Sequence, residues 1–380
     1  RDRSPSRGLG DVYKRQALLA ASSGFVSCNS DEDNVTNPVA DFAASNKKHD
    51  TAILLCTFGS TFEESVKTYD AIEKDFKEKY GNEADIYLSF TSRTCVNRVY
   101  EATGIDRVQP DYWLEALGEA GYEKVAVQSL HVIPGEEYAS LMGTDVKKKF
   151  MIERYPHIKV LKSPNLLDDE DDVEAVASYL FEDYKTDLSN KKNIVLFMGH
   201  GNPDGVYQHA NDMYTAVEEA LQTKAANKNV FVGTVDYGKM LFCPEDWKSA
   251  TMNVDDMADT YIYKKLVDYV KQNDGDYSDY TVYLVPFMSI AGDHAHNDMW
   301  GIDDKTEVKD ALPEADCCWR LKIQKMGFNI NTTEESHNGS VDKCTIKGLA
   351  DRANIRAIWL KHLTDRWNDA DEWTTGEDYQ

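Results

Sequence analysis

Residues 125–137 read VAVQSLHVIPGEE, and residues 282–294 read VYLVPFMSIAGDH. The two stretches lie over one another without a gap. Ile133, Gly135 and Glu136 align with Ile290, Gly292 and Asp293, and Glu137 aligns with His294. Each starts as a near-continuous apolar run of strand length, as expected for a strand covered on both faces, and ends in a glycine-containing loop with titratable residues. A second pair occurs in the same order. Phe58-Gly59-Ser60 followed by Tyr69-Asp70-Ala71-Ile72-Glu73 parallels Met198-Gly199-His200 followed by Tyr214-Thr215-Ala216-Val217-Glu218. Two matches in one order point to a duplicated α/β unit.

Outward from these stretches, apolar runs recur at 52–58, 85–90, 124–130, 193–198, 229–233 and 281–288. Helical patterns fall at 62–79, 135–154, 170–184, 206–224 and 255–273. A last helix over 352–367 carries Ile355, Ile358, Trp359 and Leu363 at helical spacing and is expected to pack on a sheet. Short strands alternating with longer helices predict parallel sheets flanked by helices. The expected fold is α/β with two similar lobes, 51–188 and 189–380, and a ligand cleft between them. The second lobe carries extra material at about 240–256 and 302–316.

The N-terminal 50 residues read differently. Residues 1–16, RDRSPSRGLGDVYKRQ, lack apolar periodicity and are read as an adapter-like remnant. Residues 17–28, ALLAASSGFVSC, are apolar and small, with Phe25-Val26-Ser27 as a loose lipobox before Cys28. Cys28 is the expected lipidation site, and the acidic NSDEDN after it resembles a surface-export tag. Residues 29–50 read as a flexible tether. The expected location is extracytoplasmic and lipid-anchored, periplasmic or on the outer-membrane surface. Six cysteines follow Cys28. Cys56 falls in a strand, and in an oxidising space a disulfide among Cys243, Cys317, Cys318 and Cys344 is expected, its pairing open. No CxxC occurs.

The chain has 66 acidic against 42 basic residues, a formal charge of −24. That balance argues against nucleic acid or an anionic membrane surface as partner. No stretch reaches the roughly 18–20 apolar residues of a spanning helix, so a lipid anchor is the expected membrane link. There is no GxxxxGK[ST] loop, no GxSxG elbow and no HExxH, and no nucleotide is expected.

In open parallel sheets ligands bind beyond the carboxyl ends of the strands. In the second lobe those positions hold His200 (MGHGN), Asp236 (GTVDYG) and His294 (AGDHAHND). Two imidazoles and a carboxylate form a donor set for a divalent metal of borderline softness. The first lobe offers Gly59, Ser60, His131, Glu136 and Glu137 at its strand ends. His296 is read as a solvated loop residue. His209, with Asn211, either orients a ligand or caps the next helix. His49, His157, His337 and His362 are read as structural, and the acidic run 166–174 as a charged helix start.

The strings LLCTFGSTFEES, VQSLHVIPGEEY, FMGHGN with HAN shortly after it, VGTVDYG, VPFMSIAGDHAHNDMWG and IKGLADRANIRAIWLKHL resemble, in order, the motifs of the anaerobic sirohydrochlorin cobaltochelatases, the CbiK family, over about 51–365. The resemblance implies two chelatase-type lobes with a tetrapyrrole held in the cleft. It implies a lyase inserting cobalt, with iron or nickel as alternatives, into sirohydrochlorin in cobalamin-type biosynthesis. The family's two metal-binding histidines fall on His200 and His294, and the acid of its GTVE segment falls on Asp236, one methylene shorter. Its glycine-tyrosine-proline is here Tyr237-Gly238-Lys239. His200 is the expected proton acceptor, while Gly59, Ser60, His131, Glu136 and Glu137 are the expected substrate contacts. Two other functions compete: a surface haem-, tetrapyrrole- or cobalt-binding lipoprotein for uptake, with or without metal removal, and a periplasmic metal buffer. A homo-oligomer is left open.

Overall fold

The structure is a computed structural model that describes residues 37–103, 107–203, 206–241, 261–301, 318–331 and 346–379. Cys28, Cys243, Cys317, Cys344 and the two stretches expected as insertions, from 242 and from 302 onward, lie outside the described residues. The chain divides into two compact units. The first comprises the chain up to His131, Glu137–Leu166 and Arg356–Gln380; the second comprises Val132–Glu136 and Leu167–Ile355.

The first unit is built on a five-stranded sheet in the order β2-β1-β3-β4-β9, the last strand being Trp373–Thr374. Strands β1 (Thr51–Thr57), β2 (Asp85–Phe90), β3 (Lys124–Ser129) and β4 (Lys159–Ser163) run parallel. Parallel neighbours require crossovers. These are α2 (Glu63–Tyr80) from β1 to β2, then α3 (Arg93–Thr103) and α4 (Pro110–Glu119) from β2 to β3. From β3 the chain passes through the short α5 (Glu136–Ala139) into a π-helical segment, Ser140–Arg154. One core takes alternate residues of the strands, Ala52, Leu54 and Cys56 with Val125 and Val127, against Trp113, Leu117, Val146 and Phe150. The period of two selects that face. Burial also pushes the Cys56 thiol well up from its ordinary value.

The second unit has a four-stranded sheet in the order β6-β5-β7-β8. Its strands β5 (Asn193–Gly199), β6 (Val230–Thr234), β7 (Thr281–Pro286) and β8 (Asn329–Ile330) are all parallel. Helices α6 (Glu170–Leu188), α7 (Gln208–Lys224), α8 (Ile262–Gln272) and α9 (Trp319–Lys325) belong to this unit. Ile194, Leu196 and Met198 of β5 pack with Val282, Leu284, Ile262, Leu266, Trp300 and Trp319.

The order 6-5-7-8 repeats the order 2-1-3-4 of the first sheet. The aligned stretches 125–137 and 282–294 both contain the third strand of their sheet, and both lead into a π-helix, Ser140–Arg154 or His294–Trp300. In each sheet the order of strand addition reverses between the first and third strands, the topological switch point at which open α/β sheets bind ligands.

Several expectations are corrected. Residues 38–46, read as tether, form helix α1 (Pro38–Asn46). The Asn37 side chain accepts from Val39 N at 3.1 Å and Ala40 N at 3.4 Å, Pro38 opens the first turn, and Ala40 and Ala43 are buried. The boundary at 188/189 also differs from the division seen. Helix α6 sits in the second unit, burying Val173, Val176, Ala177 and Leu180, with the Tyr184 ring edge-on to Phe197 of β5 at 5.8 Å. The C-terminal tail returns to the first unit, where β9 (Trp373–Thr374) pairs antiparallel with β4. Strand β4 itself, KVLKS, was hidden by its lysines. Helix α10 (Ala353–Trp367) buries Ile355, Ile358, Trp359 and Leu363 as its spacing predicts, and Trp359 Nε1 donates to the His131 carbonyl at 3.4 Å.

Candidate metal centre

His200 directly follows β5, and Asp236 lies two residues past β6. His294 opens the π-helix that follows β7. Because these strands are neighbours in the order β6-β5-β7, the three side chains reach one sheet edge. One ligating atom from each lies within 4.8 Å of the others. The His200 and His294 rings stand edge to face, with centroids 4.8 Å apart and planes at 71°. Three protein donors would leave a bound ion with open coordination positions.

The backbone fixes this convergence. Val235 N donates to Gly199 O at 2.8 Å and Asp236 N to His200 O at 2.9 Å, so the β5–β6 pairing continues past both strands. Gly201 has φ +92, and a Cβ there would lie 1.6 Å from the Asp236 carbonyl oxygen, so only glycine fits. Tyr237 also has a positive φ, +56, and its carbonyl accepts from Thr234 Oγ1. Asn202 and Asn211, both buried, bond twice. Asn202 N donates to Asn211 Oδ1 at 3.0 Å, and Asn211 Nδ2 donates to Asn202 O at 2.8 Å. The Asn202 Oδ1 accepts from Glu136 N at 2.8 Å, and a Cβ on Gly135 would sit 2.6 Å from that oxygen.

Each histidine has a partner that orients it. His200 Nδ1 lies 2.8 Å from Gly201 O, an acceptor, so Nδ1 carries the proton and Nε2 keeps the lone pair available to a ligand. His294 Nδ1 lies 2.6 Å from Asp298 Oδ2, with the same consequence. Their basicities diverge. Burial lowers the His200 pKa below its ordinary value, and its bond to Gly201 does not offset this. Burial also pulls on His294, but its bond to Asp298 and the charges of Asp298, Asp236 and Asp293 outweigh it and raise its pKa.

The first-half candidates separate between the units. His131 and Glu137 lie in the first unit. His131 is buried, with Nδ1 2.9 Å from Ser129 Oγ and Nε2 3.3 Å from Thr91 Oγ1 and 3.7 Å from Glu137 Oε2. Burial lowers its pKa to about 4. The Ser60 hydroxyl is engaged locally, accepting from Phe62 N at 3.2 Å and Ser65 Oγ at 2.8 Å, and Gly59 beside it packs under the Phe90 ring. Glu136, exposed, belongs to the second unit through the Asn202 bond.

His296, read as solvated, is buried, with Nδ1 2.8 Å from Gly292 O: the π-helix turns it inward. His209 is exposed on the first turn of α7, where Asn211 carries the contacts to the His200 loop. The sequence reading missed three groups. Asp298 stands four residues after His294, a spacing visible in AGDHAHND. Asn202 follows the GHG string. Glu218, in the repeated Tyr-x-Ala-x-Glu string, accepts from Val232 N at 2.8 Å and pairs with Lys265 and, at 3.7 Å, Lys239. It thereby ties α7 to β6 and to the Asp236 loop. Burial lowers the Lys239 pKa to about 8, with Glu218 opposing that shift.

Fold and geometry together define an α/β protein with parallel sheets flanked by helices, in which two histidines and one carboxylate converge at a switch point as a candidate cation site. The sequence model of the cobalt chelatase (CbiK) family matches residues 51–240 and 261–368, well over half of the chain. The chain belongs to that family. It is similar to the sirohydrochlorin cobaltochelatase of Salmonella typhimurium, 24% identical over 84% of this chain and 98% of the relative. It is also similar to the sirohydrochlorin cobaltochelatase CbiKC of Nitratidesulfovibrio vulgaris, 26% identical over 82% of this chain and 89% of the relative. A solved structure of SirB from Bacillus subtilis with Fe3+ aligns at a TM-score of 0.48 and 15% identity, over 84% of this chain and 97% of that one.

Proposed function

We propose that this protein inserts a divalent metal into a tetrapyrrole, with Co²⁺ and sirohydrochlorin as the pair favoured by its family and by its curated relatives. The observation that carries this reading is the convergence of His200, Asp236 and His294 within 4.8 Å. The metal is a substrate here: it enters hydrated, is held by these three groups, and leaves in the product.

Insertion forms metal–nitrogen bonds at the macrocycle and releases the two pyrrolic protons, so M²⁺ and the neutral free base give a neutral chelate and two H⁺. His200, kept neutral by burial, serves as a metal ligand. His294, made more basic by Asp298, is the better proton acceptor as the metal departs, which reverses the role expected for His200. Asp236 supplies an anionic oxygen that offsets the metal's charge. Glu136, held by Asn202, is the group of the HVIPGEE loop suited to orienting the ring. Lipid-anchored export through Cys28 is a separate proposal, tested by labelling the expressed chain with a radioactive fatty acid.

The test is anaerobic insertion of Co²⁺ into sirohydrochlorin, followed by the visible spectrum, with His200→Ala and His294→Ala alongside. The expected result is turnover above the uncatalysed rate, lost in both variants. A stoichiometric spectral shift without turnover, unchanged in both variants, overturns the reading and leaves a tetrapyrrole carrier.

A further inference from the structure

The geometry points to Asp298 as a positioning residue for the metal, holding His294 in the orientation and tautomer that present Nε2 to the ion. This rests on the metal-handling reading of the His200–Asp236–His294 site.

His294 and Asp298 lie four residues apart in the His294–Trp300 π-helix, where such neighbours share a face. Their 2.6 Å separation makes a short hydrogen bond, just under the roughly 2.7–2.9 Å usual when an N–H meets a carboxylate. An unsupported imidazole can flip about its ring axis or move its proton to the other nitrogen; either change takes the lone pair of Nε2 away from the metal. The carboxylate blocks both, because only an Nδ1–H facing it makes the bond. It also raises the ligand's donor strength, as outer carboxylates do for metal-bound histidines.

The neighbouring acid in the same turn is committed elsewhere. Asp293 Oδ1 accepts from Asn297 Nδ2 at 2.7 Å. Asp298 is therefore the carboxylate allotted to the ring. The two histidines also differ in kind of support. His200 leans on a backbone carbonyl, which side-chain substitution leaves in place, whereas His294 leans on a side chain that can be removed.

The experiment uses the full chain and Co²⁺ alone as probe, titrated anaerobically and followed by ligand-field absorption. Wild type, Asp298→Ala, Asp298→Asn and His200→Ala are compared, with melting temperatures and separate KM values for Co²⁺ and sirohydrochlorin. We expect Asp298→Ala to weaken Co²⁺ binding about 10- to 100-fold, with the sirohydrochlorin KM and the melting temperature unchanged. Asp298→Asn, which keeps an acceptor oxygen, recovers part of the loss. Wild-type Co²⁺ affinity in Asp298→Ala overturns the inference, as does equal loss toward both substrates with a lowered melting temperature. If wild type binds Co²⁺ and His200→Ala does not, but no insertion occurs, the chelatase reading fails and Asp298 is still judged by Co²⁺ binding. If wild type does not bind Co²⁺, both fail.

Discussion

A Cβ on Gly201 would lie 1.6 Å from the carbonyl oxygen of Asp236, so the loops that follow β5 and β6 touch through their backbones. This contact sets the distance between His200 and Asp236, two of the three proposed metal ligands. It also couples a glycine without a donor side chain to the geometry of the proposed site.

Gly201→Ala is therefore expected to act through position. The substitution meets both the carbonyl and a φ of +92, a conformation that costs roughly 1–3 kcal/mol for a residue with a side chain. The expected outcome is a melting temperature lowered by several degrees and Co²⁺ affinity reduced at least about tenfold, although His200, Asp236 and His294 are all present. Wild-type Co²⁺ affinity in this variant would show that the loop contact does not set the site.

The unequal histidines predict the pH dependence of Co²⁺ binding. A proton on Nε2 competes with the metal. His294 is raised above the ordinary value of 6.5 and His200 is lowered below it. As pH falls, His294 protonates first, and affinity begins to drop above pH 6.5. Binding displaces one proton through that range and approaches two only at lower pH. Calorimetry in buffers of different ionisation enthalpy counts these protons, and simultaneous release of two would contradict the assignment.

Asn202 links the HVIPGEE loop to the His200 loop through Glu136 N. Asn202→Ala removes that acceptor while leaving its own backbone bonds to Asn211. A lost buried acceptor costs roughly 1–3 kcal/mol. The expected signature is a several-fold higher KM for the tetrapyrrole with Co²⁺ affinity unchanged. A changed Co²⁺ affinity with an unchanged tetrapyrrole KM would assign Asn202 to the metal instead.

His131 predicts an acid weakness in the first unit. Burial lowers its pKa from 6.5 to about 4. Between those values the unfolded chain binds a proton that the folded chain refuses, so stability falls as pH falls through the window. The full gap corresponds to roughly 3 kcal/mol. His131→Gln is expected to flatten denaturant midpoints between about pH 6.5 and 4 relative to wild type. An identical pH slope in the variant would place the acid sensitivity elsewhere.

The legible parts of this fold share one property. Strands β1, β3, β5 and β7 are apolar throughout because both their faces are covered, and the loops after β5, β6 and β7 carry His200, Asp236 and His294 beside glycines. Strand β4 was not legible, because Lys159 and Lys162 break its apolar run while Val160 and Leu161 are fully buried. Helix α1 was lost in a polar setting despite its Asn37-Pro38 start. His296 was misread because its side-chain direction depends on a π-helical turn that no local spacing announces.

The linear chain by itself determined the duplicated α/β pattern and picked out the three strand-end residues that meet at one sheet edge, since apolar periodicity and strand-end glycines are local properties. Tertiary structure alone decided three further matters. It carried α6 into the second unit and the C-terminal strand β9 back to the first, because covering an exposed sheet face or edge depends on what lies near in space. It set Asp298 behind His294 and Asn202 behind Glu136, because a hydrogen bond depends on distance and direction rather than on order along the chain. It made two identical imidazoles unequal in basicity, because burial and neighbouring carboxylates act through the folded surroundings of each ring.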